Sequence, residues 1–102
     1  MRRYPDLLIH EYLTRSNQKL IIEVKKGSAS LSLLKKDLAK LAVYCHGRLS
    51  YKKGVLLLIN PNNNKKEAIT ADKSIKDLLS EYSKIEIWII NYDKKIEIIK
   101  NQ

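Results

Sequence analysis

Three residues near the N-terminus have side chains suited to phosphate-ester chemistry: Asp6, Glu23 and Lys25. Glu23 and Lys25 sit two apart in Gln18-Lys19-Leu20-Ile21-Ile22-Glu23-Val24-Lys25-Lys26, an apolar run broken by opposite charges. Side chains alternate along a strand, so a strand here turns both charges to one face. Asp6 opens a second β-like run, Leu7 to Leu13, and Thr14-Arg15-Ser16-Asn17 reads as the turn between the two. Residues opposite one another in an antiparallel ladder share a face, and such a hairpin sets Asp6 opposite Glu23. Two carboxylates then meet an amine at one spot, and they repel unless a cation or Lys25 lies between them. Oxygen donors of this kind suit a hard divalent cation, which beside a phosphodiester neutralises charge and delivers an activated water. The plainer alternative is a solvated strand face with a surface Glu23–Lys25 ion pair and Asp6 in a turn after Pro5.

Pro5-Asp6 followed by Glu23-Val24-Lys25 resembles the signature of the PD-(D/E)xK nuclease superfamily, the fold group of many restriction enzymes and junction resolvases. The context is similar too: an apolar strand behind each motif, a helix directly afterwards and then another apolar strand. The resemblance extends from Arg3 to Asn60 and implies a restriction-endonuclease-like α/β fold, a mixed central sheet flanked by helices. It implies a metal-dependent nuclease that hydrolyses phosphodiester bonds in nucleic acid, DNA ahead of RNA. In such a site Mg2+ or Mn2+ is held by Asp6, Glu23 and the carbonyl of Val24. Lys25 positions or deprotonates the attacking water and stabilises charge on the phosphorane. The chain departs from the family in one respect: family cores begin with a helix and a further strand, whereas only Met1 to Tyr4 precede Pro5 here. That departure implies a fragment, a layer supplied by a second copy or partner chain completing the sheet, or a non-cleaving relative that binds nucleic acid or protein.

The composition is compatible with these expectations. A single domain spanning residues 1–102 is expected from the length, and 44% hydrophobic with 30% charged residues fits a globular chain. No apolar run approaches the ~18 residues that span a bilayer, and the N-terminus lacks the apolar stretch of a secretory signal, so a cytoplasmic location is expected and no membrane partner. Cys45 is the only cysteine, which excludes an internal disulfide and a Cys/His zinc cluster. The net charge of +9, from 20 Lys and Arg against 11 Asp and Glu, attracts polyanions. Lys26, Lys35, Lys36 and Lys40 are the candidates for phosphate contacts, and a merely solvated lysine-rich face is the alternative.

These residues have to be positioned by the elements around them, for which the sequence predicts the order β-β-α-β-α-β-β. After the Lys19 to Lys25 strand, Gly27-Ser28 is a break. Leu31, Leu34, Leu38, Leu41 and Cys45 then recur at helical steps, predicting an amphipathic helix over 29–46 with Lys35, Lys36 and Lys40 on its outer face. Val55-Leu56-Leu57-Leu58-Ile59 predicts a central strand buried on both faces. Asn60 to Lys66 reads as a polar loop, 71–82 as a second helix, and 85–91 with 95–100 as a closing hairpin.

Overall fold

A computed structural model describes residues 7–10, 19–47 and 51–100. It contains strands β1 (Leu7–His10), β2 (Lys19–Lys26), β3 (Lys53–Ile59), β4 (Ile85–Ile90) and β5 (Ile96–Lys100), and helices α1 (Leu31–His46), α2 (Asn63–Ala71) and α3 (Lys73–Glu81). The strands lie side by side in sequence order. β2, β3 and β4 are parallel, while β1 and β5 run antiparallel to their neighbours, which makes the sheet mixed and the class α/β. β1 and β2 pair in the register Leu7↔Ile22 and His10↔Lys19. Asp6 and the turn at 14–17 lie outside the described residues.

α1 follows its sequence pattern closely. Ser30 caps it by accepting a hydrogen bond from the Leu33 N–H, and the Gly47 N–H closes the far end on the Val43 carbonyl. Its stripe of Leu34, Leu38, Leu41 and Cys45 is buried. This stripe joins Ile21 of β2, Leu56 and Leu58 of β3, and Ile85, Ile87 and Ile89 of β4 in one core. Because β-strand side chains alternate, these are residues of a single sheet face. Ile69 of α2 with Ile75 and Leu79 of α3 complete the core.

Two expectations are corrected here. Asn63–Ala71 is a helix rather than a loop, so the order is β-β-α-β-α-α-β-β. Asn62 caps α2 through the Lys65 N–H, and Asp72 caps α3 through the Ile75 N–H, so the two helices meet at a bend. The second correction concerns β3: Val55 is fully buried, but on the same side Leu57 is half-buried and Ile59 is 46% exposed. All three described helices contribute to the opposite face, so burial of this side is incomplete.

Glu86 is buried on this less covered side of the sheet. It accepts hydrogen bonds from Lys53 Nζ and Trp88 Nε1, both at 2.8 Å. Burial pushes its carboxyl upward, but the Lys53 and Trp88 hydrogen bonds outweigh burial and hold it below its ordinary value. A carboxyl depressed on folding adds stability above the unfolded-state value, about 4.5, and loses it as pH falls through the lower folded-state value.

Two outcomes are expected. Glu86→Gln should be less stable than wild type at pH 7 and should lose less further stability on acidification, as read by urea denaturation across pH. A Cβ at Gly27 would meet Pro61 Cα at 2.4 Å and the Asn60 carbonyl carbon at 2.6 Å, both backbone atoms. Gly27→Ala should therefore cost ~1–3 kcal/mol in the same assay.

Candidate cation site between β2 and α1

Alternation along β2 places Glu23 and Lys25 on the same face as Ile21, the face that α1 covers. On α1, Asp37 and Lys40 stand one helical step apart, so they project together. The four side chains meet where the helix crosses the strand. Lys40 Nζ donates a hydrogen bond to Glu23 Oε2 at 3.3 Å and lies 3.9 Å from Asp37 Oδ1. Lys25 Nζ is 3.3 Å from Asp37 Oδ2. Opposite charges thus run in a chain, Glu23 to Lys40 to Asp37 to Lys25.

The carboxylates and ammoniums differ in access to water. Glu23 is 2% exposed and Asp37 5%, whereas the Lys25 and Lys40 side chains are 28% and 32% exposed. Buried carboxylates are costly unless paired, and here each has an ammonium within 4 Å. Asp37 Oδ2 accepts no hydrogen bond among the described residues despite its contact with Lys25. The lysine stems span the boundary, with their charged ends near the carboxylates and a path to solvent.

The residues singled out in the sequence fall into three groups. Glu23 and Lys25 are adjacent in the cluster, and Val24 between them is half-buried and paired in register with Leu57. Asp6 lies outside the described residues. Of the lysines proposed for phosphate contact, Lys26 and Lys36 are exposed. Lys35 pairs with Asp72 at 2.8 Å. The Lys35 hydrogen bond and then the Ile75 N–H hold the Asp72 carboxyl below its ordinary value. Lys35 and Lys40 are therefore not on an outer face, because acidic groups from other elements draw them in.

Asp37 is the residue that the sequence reading missed. A signal was present: it lies three residues after Leu34 and four before Leu41, an acidic position inside the apolar stripe. Among the described residues no three His, Cys, Asp or Glu side chains converge as a metal-binding group. Glu23 and Asp37 nevertheless fit a hard cation such as Mg2+, which takes one or two carboxylates and keeps several waters. Elsewhere Cys45 is fully buried, and burial pushes its thiol up to about 11, against the usual requirement for a thiolate nucleophile. Tyr51 is buried with its ring edge-on to Tyr44, 6.2 Å between centroids, so the two tyrosines pack on each other.

Removing one ammonium from this chain of charges should be costly. Lys40→Met should lose roughly 1–3 kcal/mol of stability in chelator-treated buffer, read by urea denaturation, because Glu23 loses a charged hydrogen bond. The Lys73→Met variant supplies the control: it breaks the exposed Lys73–Asp77 pair on α3 and should have little measurable effect.

Among the described residues no helix is long and apolar enough to cross a membrane. Comparison with known proteins finds no matching family model, no matching curated protein and no matching solved structure.

Proposed function

We propose that this protein is a metal-dependent nuclease-like domain with a restriction-endonuclease-like fold, hydrolysing phosphodiester bonds in nucleic acid, DNA ahead of RNA. The observation that carries the reading is the placement of Glu23 and Lys25 on one strand, side by side, where a buried carboxylate borders ammoniums open to solvent. The mixed sheet, with a helix packed across the strand that bears them, is the setting such a site requires. The described antiparallel register includes Leu7↔Ile22, and Asp6, which precedes Leu7 in the sequence and lies outside the described residues, is the proposed second acidic group.

The roles follow from the chemistry of the groups. Glu23, Asp6 and the Val24 carbonyl are oxygen donors for Mg2+ or Mn2+, and the ion supplies charge neutralisation and a more acidic water. Lys25 is the amine beside them, suited to orient or deprotonate the attacking water and to stabilise charge building on the phosphate oxygens. The net charge of +9 draws the polyanionic substrate to the protein. Exposed Lys26 and Lys36 are free to contact its backbone.

A second reading has its own observation. Lys25 is held against Asp37 at 3.3 Å, and an amine so engaged is less available to a substrate, as in a relative that binds nucleic acid without cutting it.

The test is incubation with supercoiled plasmid and single-stranded DNA, with and without Mg2+ or Mn2+. The nuclease reading expects metal-dependent cleavage that falls about 100-fold or more in Lys25→Ala. Cleavage surviving that substitution, or no cleavage with either metal, overturns it. The binding reading then expects DNA affinity that declines steeply as salt increases.

A further inference from the structure

The geometry assigns two further residues to this site: we propose that Asp37 is a cation ligand together with Glu23, and that Lys40 is a resident counter-ion which a divalent cation displaces. The inference rests on the metal-site reading above, but it makes a separate claim about α1. Glu23 and Asp37 come from different elements and share one close cation, Lys40 Nζ, at 3.3 and 3.9 Å. Both carboxylates are at least nine-tenths buried, so a cation between them stays out of competition with bulk water. Asp37 Oδ2 accepts no hydrogen bond among the described residues, and its described contact is the ion pair with Lys25 at 3.3 Å, which the same exchange would release for a ligand bond.

The ammonium has a way out, because Lys40 is 32% exposed and its stem is flexible, and the incoming dication offsets the contact that Glu23 loses. The charge count explains what the exchange would accomplish. Among the described residues the cluster holds two carboxylates and two ammoniums, and Asp6 would add one further negative charge. A dication in place of the Lys40 contact neutralises both carboxylates by itself, releasing the positive charges of Lys40 and Lys25 at the rim. The site then carries surplus positive charge, and a phosphodiester is the anion it would attract. By linkage, metal and nucleic acid would each strengthen the binding of the other.

The experiment measures Mn2+ binding directly, by isothermal titration and by the shift in melting temperature, so it does not depend on cleavage. Lys40→Met should bind Mn2+ at least tenfold more tightly than wild type and gain more thermal stability from it. Adding Asp37→Asn to Lys40→Met should reverse both gains. Unchanged or weaker Mn2+ affinity in folded Lys40→Met, or affinity indifferent to Asp37→Asn, overturns the proposal. Should Lys40→Met fail to fold, Asp37→Asn in the wild-type background decides: tenfold weaker Mn2+ binding supports the assignment, and unchanged or undetectable binding in both chains overturns it. Mn2+ binding that behaves as expected in a protein that cuts no DNA would defeat the nuclease reading and leave this site standing. Cleavage that requires Glu23 but ignores Asp37 would do the reverse.

Discussion

The burial of two carboxylates where α1 crosses β2 is the constraint on which the rest of the structure depends. Glu23 and Asp37 occupy buried positions that Leu or Ile would fill at less cost, on the same strand face as buried Ile21 and on the same helix as buried Leu34, Leu38 and Leu41. The helix can lie against the strand only if those charges are answered in place, and Lys25 and Lys40 answer them from the solvent side. Pairs of this kind rarely stabilise a fold better than hydrophobic residues of the same size. A small domain that keeps four charges where α1 meets β2 thus does so without the stability that apolar residues of the same size would bring.

The packing around the cluster makes this position rigid. β2 is the second strand of the sheet and β3 its centre, and Glu23 sits on backbone paired in register with Leu56 of β3. α1 is capped at both ends and buries its stripe from Leu34 to Cys45, and Gly27 lets β2 turn away within contact of Pro61. Asp37 and Glu23 are thus fixed by two well-packed elements, while the lysines retain freedom at their ends. The far side of the sheet differs: its buried acid, Glu86, is held by Lys53 and by the Trp88 indole, with no second carboxylate described beside it.

Much of the architecture was legible in the sequence because its signals were strong and local. The three- and four-residue spacing of leucines announced α1, and the five consecutive apolar residues of β3 announced the centre of the sheet. α2 was not legible: Asn60-Pro61-Asn62-Asn63-Asn64 is turn chemistry, and Ile69 is the one residue of that helix in the core, so no apolar stripe exists to find. Asn62 acts there as a cap, a role that the same amide could equally have played in a turn. In the site, Glu23 and Lys25 could be paired from strand alternation alone. Asp37 could not be paired with them, because which face of α1 meets β2 is a tertiary fact. Lys35 and Lys40 were assigned to an outer face for the same reason, since helical periodicity does not reveal the acids of neighbouring elements that draw them inward.

The central claim is that the Glu23–Asp37 pair is a place for a divalent cation, held in the meantime by Lys40. The most direct measurement is a crystal structure of the protein grown with Mn2+, with diffraction recorded near the manganese absorption edge. An anomalous peak between the two carboxylates, with the Lys40 side chain turned out to solvent, is the predicted result. Lys40 still seated against Glu23 at saturating Mn2+, with no anomalous signal at the pair, would contradict it.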